Sequence, residues 1–146
     1  MTERTDQLQR DKAAVEEVNS DFYGAFERGD LDAMTRIWLD DRETLCVHPG
    51  TTPLRGASAI TRSWALLMAN ATYIQFFLTD VEVSVHGDVA SVTCTENVLT
   101  ADEHTADSSF IGARAVATNV FVRSGDTWRL WIHHASPVMS GEHLEE

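Results

Sequence analysis

Positive charge is scarce in this chain. Eleven lysines and arginines stand against 23 aspartates and glutamates in 146 residues, which gives a formal net charge of −12. The basic residues are nearly all arginines, and they are scattered along the sequence. Because phosphate backbones are bound by clustered positive charge, we expect no nucleic-acid partner.

Long apolar runs and metal-binding motifs are also missing. No segment approaches the roughly 20 apolar residues that cross a bilayer, and MTERTDQLQRDK lacks the apolar core of a signal peptide. We therefore expect no membrane partner and a cytoplasmic location. The two cysteines, Cys46 and Cys94, lie in strand-like segments, where a reduced thiol fills apolar space. Without HExxH or paired CxxC patterns, we expect neither a metal nor a cofactor.

The remaining composition is that of one globular domain. Apolar residues make up 43% of the chain and charged residues 23%, and no repeat or linker interrupts the sequence. We place the domain at residues 5–138 and expect frayed termini at residues 1–4 and 139–146.

The first half of the sequence has the periodicity of helices. Apolar residues predict a long helix from Leu8 to Phe26, with Asp6 as its cap and Gly29 as its stop. Asp30 suits the N-cap of a second, shorter helix. The segment TLCVH then predicts a short strand and TTPLRG a loop. A third helix is predicted from the spacing of Ile60, Trp64, Leu67 and Ala71.

From Tyr73 onward apolar and polar residues alternate, as they do in half-buried strands. The predicted strands cover Val81–Val85, Val89–Thr100, Ile111–Arg123 and Trp128–Ala135; turns lie at Gly87–Asp88 and Ser124–Thr127, and a loop at Ala101–Ser109. Helices followed by antiparallel strands predict an α+β domain with helices on one face of a curved sheet. In the last strand we place Trp128, Leu130 and Ile132 on one face and Trp131 with Ala135 on the other, so both faces look shielded. A homodimer that covers the second face explains this pattern.

Two strands each direct one polar residue toward an apolar face. Glu96 shares its face with Val92 and Cys94, and Asn119 shares its face with alanines and Phe121. One interpretation is a cavity under the helices, lined by a few convergent polar groups. The alternatives are a bulge that turns Glu96 toward solvent and a core amide bonded to the backbone.

Histidines are the other candidates for chemistry. His48 ends the first strand, and His133 and His134 are adjacent on the last one, so at most one of that pair faces the cavity. Each histidine is otherwise interpreted as a structural or surface group. Trp64 is interpreted as a core residue or as an indole that stacks on a ligand.

The order of these elements, with the segments TENV, ATNVF and WRLWIHHAS, resembles the SnoaL-like branch of the nuclear transport factor 2-like superfamily. The resemblance covers about Leu8 to Pro137. It implies a cone in which three N-terminal helices pack on a strongly curved, mostly antiparallel sheet around an internal pocket, with dimerisation through the outer sheet face. The aspartate that shuttles the proton in ketosteroid isomerases is replaced by His48, and their oxyanion tyrosine falls at Phe22, which cannot donate. The arginines of the calmodulin-dependent kinase association domain, near positions matching Cys94, Asn119 and Ala135, are absent.

Our first hypothesis is a pocket protein of SnoaL-like type that transfers protons on a small, largely apolar molecule, as an isomerase, cyclase or dehydratase does. Glu96 or His48 is the proposed base, Asn119 and one of the two adjacent histidines orient or stabilise an oxyanion, and Trp64 and Trp131 shape the cavity. The candidate catalytic residues are His48, Glu96, Asn119, His133 and His134. The candidate ligand-binding residues are Phe22, Trp64, Cys94, Arg114, Phe121 and Trp131. The second hypothesis is a non-catalytic ligand-binding or dimerisation module.

Overall fold

The computed structural model describes residues 2–101 and 110–139. The predicted loop after Ala101 and the tail from Ser140 lie outside these residues. The described helices are α1 (Thr2–Arg28), α2 (Leu31–Ile37) and α3 (Ala57–Asn70), and the strands are β1 (Leu45–Val47), β2 (Leu54–Arg55), β3 (Ile74–His86), β4 (Val89–Ala101), β5 (Phe110–Ser124) and β6 (Thr127–Pro137). Among these elements no helix combines the length and apolarity needed to cross a membrane.

All six described strands form one sheet in the order β2-β1-β6-β5-β4-β3. Strands β3 to β6 form an antiparallel meander, and β1 pairs with β6 in parallel. Register shifts between Thr79 and Glu82 and between Val120 and Phe121 interrupt the ladders, and bulges of this kind bend a sheet. The predicted α+β class, with three helices on a curled and mostly antiparallel sheet, is confirmed.

The hairpin between β3 and β4 forms as the sequence predicts. His86 pairs with Val89 across the two-residue turn Gly87–Asp88, and Gly87 has a φ of +62°. A side chain at this position would be strained, which is why a glycine suits the turn. This tight connection sets the register of β4 and therefore the face on which Glu96 lies.

Two local predictions at the helical end are wrong. Helix α1 begins at Thr2, so Asp6 lies inside the helix and does not cap it. The segment TTPLRG is not entirely loop, because Leu54 and Arg55 form β2 and pair with Cys46 and Leu45. Asp30 does cap α2, since its carboxylate accepts a 3.1 Å hydrogen bond from a backbone amide in the first turn.

A bulge in β6 changes the faces that alternation predicts. Phe121 pairs with Leu130 and Val120 with Ile132, so Trp131 is the extra residue in the strand. The inward face of β6 therefore continues at His133 rather than at Ile132. The predicted grouping of Ile132 with the core-facing residues is wrong for this reason.

Candidate active site

A cavity of about 430 Å³ lies between α1, α3 and the inward face of the sheet. This volume falls in the range of roughly 300–1,000 Å³ that is typical of small-molecule sites. Most of its wall is apolar: Phe22, Phe26, Trp64, Leu67, Ile74, Phe76 and Val98 contribute to it. A larger groove of about 830 Å³ beside Asp40–Glu43 and Arg62 is open to solvent and contains no buried polar side chain. The smaller cavity, which has the buried polar groups Glu96 and His133 in its apolar wall, is therefore the candidate site.

Glu96 faces this cavity rather than solvent. Its side chain is buried, with a relative exposure of 4%, and Oε2 accepts a 2.6 Å hydrogen bond from the Tyr23 hydroxyl. Burial raises the pKa of Glu96, and the hydrogen bond from Tyr23 works against that rise. Burial and the nearby Glu96 charge raise the pKa of Tyr23, so its hydroxyl keeps its proton. The pocket interpretation of Glu96 is correct, and the bulge interpretation is wrong.

Asn119 lies one layer behind the cavity wall and joins three other buried polar groups. Its Nδ2 donates to Asn19 Oδ1 at 2.8 Å and to the Tyr23 hydroxyl oxygen at 3.1 Å. Its Oδ1 lies 2.5 Å from His133 Nδ1. Both amide hydrogens are already in use, so the expectation that Asn119 stabilises an oxyanion is wrong. Asn119 instead holds Tyr23 and His133 in position.

The hydrogen bonds around His133 define which ring nitrogen carries the proton. Because the Asn119 nitrogen faces Tyr23, its oxygen faces His133, and Nδ1–H of His133 is the donor. The Nε2 of the neutral ring then holds a lone pair. Burial, together with His48 and His134, lowers the pKa of His133 to about 3. His133 is therefore neutral at ordinary pH and lines the cavity.

His48 reaches the same cavity from the end of β1. Its Nε2 lies 3.1 Å from Ser63 Oγ, and that hydroxyl lies 2.8 Å from the Ile60 carbonyl oxygen. A carbonyl cannot donate, so the Ser63 proton points to Ile60 and His48 Nε2–H donates to Ser63. Burial lowers the pKa of His48, which favours the neutral ring with a lone pair on Nδ1. The ring centroids of His48 and His133 are 6.5 Å apart.

The predicted site residues thus fall into two groups. His48, Glu96, His133, Phe22 and Trp64 line the cavity, and Arg114 borders it. Arg114 pairs with Asn97 on the ladder, between two inward-facing alanines, so its side chain starts from the outer face at the rim.

The other predicted residues do not line the cavity. Cys94 is buried behind it, with Sγ 3.7 Å from the Tyr23 hydroxyl, and Phe121 is fully buried in the core. Trp131, displaced by the bulge, donates through Nε1 to the Glu43 carbonyl at 3.3 Å. His134 is exposed on the outer face. Strand alternation and the bulge account for these corrections.

Tyr23 and Asn19 are the residues that the sequence analysis missed. Both lie on the buried stripe of α1, four positions apart, so they point in the same direction. Glu96 was identified as a polar residue on an otherwise apolar face of a strand. Asn19 and Tyr23 are likewise polar residues on the apolar face of a helix, so the same criterion applied to α1 identifies both.

Across residues 2–101 and 110–139, no group of three or more histidine, cysteine, aspartate or glutamate side chains is placed to hold a metal ion. Both cysteines are free and buried.

Comparison with known proteins agrees with this architecture. The family model for the SnoaL-like domain matches residues 15–140. A crystal structure of a putative dehydratase from the NTF2-like family of Streptomyces avermitilis is 46% identical, covers 90% of this chain and 99% of that chain, and has a TM-score of 0.85. A putative calcium/calmodulin-dependent protein kinase type II association domain from Thiobacillus denitrificans is 31% identical, covers 85% and 94% of the two chains, and has a TM-score of 0.73.

One curated relative is much longer. The F-box protein SKIP8 of Arabidopsis thaliana is 28% identical over 126 residues, which are 86% of this chain. The match spans 50% of that protein, so this chain corresponds to about half the length of the curated relative.

Proposed function

The chain belongs to the SnoaL-like domain family of the nuclear transport factor 2-like superfamily, and from this premise we propose that it catalyses acid–base chemistry on a small, largely apolar molecule. The observation that carries the proposal is the Glu96 carboxyl group, which is buried in an apolar cavity and accepts a 2.6 Å hydrogen bond from the Tyr23 hydroxyl. A lone amide in such a cavity would favour binding alone. Two ionisable groups in hydrogen-bond contact favour chemistry.

Glu96 is the proposed proton carrier. Burial raises its pKa, which makes the carboxylate a stronger base for taking a proton from the substrate. Tyr23 orients the carboxyl group through one oxygen and leaves the other oxygen for the substrate. His48 and His133 are neutral rings in the same cavity and serve as hydrogen-bond acceptors for substrate groups.

Dehydration is the reaction class that we favour among isomerisation, cyclisation and dehydration. The Glu96 carboxylate removes a proton from the carbon next to a substrate carbonyl, and the electrons of that C–H bond form an enolate. The enolate then forms a carbon–carbon double bond as the C–O bond to the β-hydroxyl breaks. The departing hydroxide takes the proton from Glu96, water leaves, and the carboxylate is restored. The S. avermitilis relative, which is named a putative dehydratase, supports this choice.

The test uses the aldol adduct of benzaldehyde and acetone, because its dehydration gives a conjugated enone with strong ultraviolet absorbance. We expect turnover by the wild-type protein and a loss of about 10²–10⁴-fold in Glu96→Gln. Deuterium incorporation next to the carbonyl in heavy water reports proton removal even when elimination is slow. The matched control is Glu82→Gln, an acid-to-amide change on the exposed part of β3.

Two results contradict the proposal. A folded Glu96→Gln protein with full turnover rules out Glu96 as the proton carrier. If the wild-type protein gives no enone and incorporates no deuterium, this β-hydroxy ketone is not a substrate.

A second candidate function is binding without turnover. The observation that favours it is the closed network in which Asn119, Asn19 and Tyr23 satisfy one another. The F-box protein relative also supports a role for this fold as one module of a longer protein. Tight binding of a cavity ligand, with equal affinity in wild type and Glu96→Gln and no product, supports this candidate.

A further inference from the structure

We infer that the cavity selects ligands that carry a hydroxyl group on an apolar ring, and that this hydroxyl donates its hydrogen bond to His133 or His48. The inference rests on the proposed function and names the class of molecule that enters the same site. It follows from counting which polar atoms of the cavity wall offer a hydrogen and which offer a lone pair.

His133 offers a lone pair. Its Nδ1–H is used by Asn119, and its Nε2 makes no hydrogen bond to any residue in the described part of the chain. Among the described residues, the side-chain nitrogens and oxygens that are both fully buried and without a hydrogen-bond partner are the indole nitrogens of Trp38 and Trp64. Nε2 of His133 also has no partner but does not belong to this set, so it is not fully buried. It is therefore accessible from the cavity that His133 lines.

His48 offers a second lone pair. Its Nε2–H is committed to Ser63, which leaves Nδ1 as an acceptor. Nδ1 lies 3.9 Å from the Cys46 thiol, and a thiol is a weak donor at that distance. A ligand hydroxyl is a stronger donor than this thiol and can take its place.

Arg114 borders the cavity, but its side chain starts from the outer face of the sheet. The remaining polar side chains of the cavity wall add no hydrogen for a ligand. Tyr23 donates its hydroxyl proton to Glu96, and the ionised Glu96 carboxylate is itself an acceptor. The Thr51 hydroxyl donates to the His48 carbonyl oxygen at 3.0 Å. Trp64 Nε1 is enclosed by protein, so a ligand in the cavity does not reach it. Inside the rim, the ligand itself therefore has to supply the hydrogens.

The shape of the wall favours a flat apolar body for this ligand. Phe22 packs edge-on against His133 and Trp64 packs edge-on against His48, with centroid distances of 4.9 and 4.8 Å. Aromatic walls of this kind contact the faces and edges of an aromatic ring. A carboxylate ligand is disfavoured, because it brings only acceptors next to Glu96.

The experiment compares β-naphthol with its methyl ether, which has the same ring system but no hydrogen to donate. Calorimetry on the wild-type protein should give an affinity for β-naphthol about tenfold higher than for the ether, the value of one good hydrogen bond. His133→Phe and His48→Phe should each be measured with both probes, and at least one should abolish the difference. His86→Phe, at an exposed position of β3, is the matched control.

Nitrogen-15 spectra of the histidine rings provide a readout that needs no variant. We expect the unprotonated Nε2 of His133 or Nδ1 of His48 to shift when β-naphthol binds and to shift less with the ether. Equal affinities for the two probes, or spectra in which both nitrogens already carry protons, overturn the inference. Those results leave the proposed function standing, because that proposal is judged by turnover in Glu96→Gln. Binding of neither probe also overturns the inference.

Discussion

Asn119 and His133 are direct partners on the β5–β6 ladder, and their side chains meet at 2.5 Å. The backbone register therefore places the amide beside the imidazole, and helix α1 completes the arrangement with Asn19 and Tyr23. The sheet and the first helix are joined through a buried polar network that also ends at Glu96. Stability and site geometry are coupled through these five side chains.

Removal of the Asn119 amide should be costly. Asn119→Ala leaves His133, Tyr23 and Asn19 each without one buried partner, so we expect a loss of about 3 kcal/mol in the free energy of unfolding. Urea unfolding measures this loss. Nitrogen-15 spectra of His133 should also change from one tautomer to a mixture, which a purely structural role does not predict.

The control for this change is Asn70→Ala. The Asn70 side chain is exposed and donates to the Leu66 carbonyl in its own helix, so the expected effect is within about 0.5 kcal/mol. Equal destabilisation by Asn119→Ala and Asn70→Ala would show that the buried network does not contribute.

Acid should destabilise the protein through His133. The unfolded chain takes up this proton near pH 6.5, whereas burial holds the pKa of the folded residue at about 3. Between these values the unfolded state binds the additional proton, so stability is complete above pH 6.5 and falls by about 1.4 kcal/mol per pH unit as the pH is lowered.

Glu96 acts in the opposite direction. Its raised pKa adds stability below pH 4.5 that is lost as the pH rises through the folded value.

Urea unfolding from pH ~5 to ~7 checks this prediction with His133→Gln. The slope of unfolding free energy against pH should be smaller than in the wild type by the contribution of one proton. His86→Gln, at an exposed position, should keep the wild-type slope. If the unfolding free energy has the same slope against pH in the wild type and in His133→Gln, the pKa of His133 is not lowered in the folded protein.

The sequence predicted the face of Glu96 because strands have a strict two-residue period and the Gly87–Asp88 turn fixes the register. The same rule failed on β6, where one extra residue at Trp131 moves every later side chain to the other face. A single sequence carries no clear mark of such a bulge. That is why the choice between His133 and His134 required coordinates.

Tyr23 shows a different limit of the sequence analysis. The resemblance placed the functional position of α1 at Phe22, and the structure has both side chains on the buried stripe. Tyr23 gains its role through Glu96, 73 positions away, and through Asn119, 96 positions away. Periodicity identifies a buried face, but it does not identify the partner that a distant strand brings to it.

The cavity itself can be tested by filling it. Ala115 borders the cavity, whereas Ala117, two residues further on the same face of β5, is fully enclosed by protein. Ala115→Leu should keep the unfolding free energy within about 1 kcal/mol, because the added carbons enter empty space, and should weaken β-naphthol binding more than tenfold. Ala117→Leu should instead lose about 1–3 kcal/mol through overpacking. Equal stability losses in the two variants would mean that no cavity lies at Ala115.

We propose that the outer face of the sheet joins two copies of the chain. Phe77 and Val116 lie on that face with relative exposures of 51% and 49%, and apolar side chains of this size on a sheet surface favour a partner. A symmetric dimer brings each substituted patch close to its own copy, so Val116→Lys or Phe77→Lys introduces repulsion between like charges. Light scattering after size exclusion should give twice the chain mass for the wild type and one chain mass for either variant. Leu66→Lys, on the exposed side of α3, should remain dimeric. A monomeric wild-type protein, or dimers in both sheet variants, would contradict this interface.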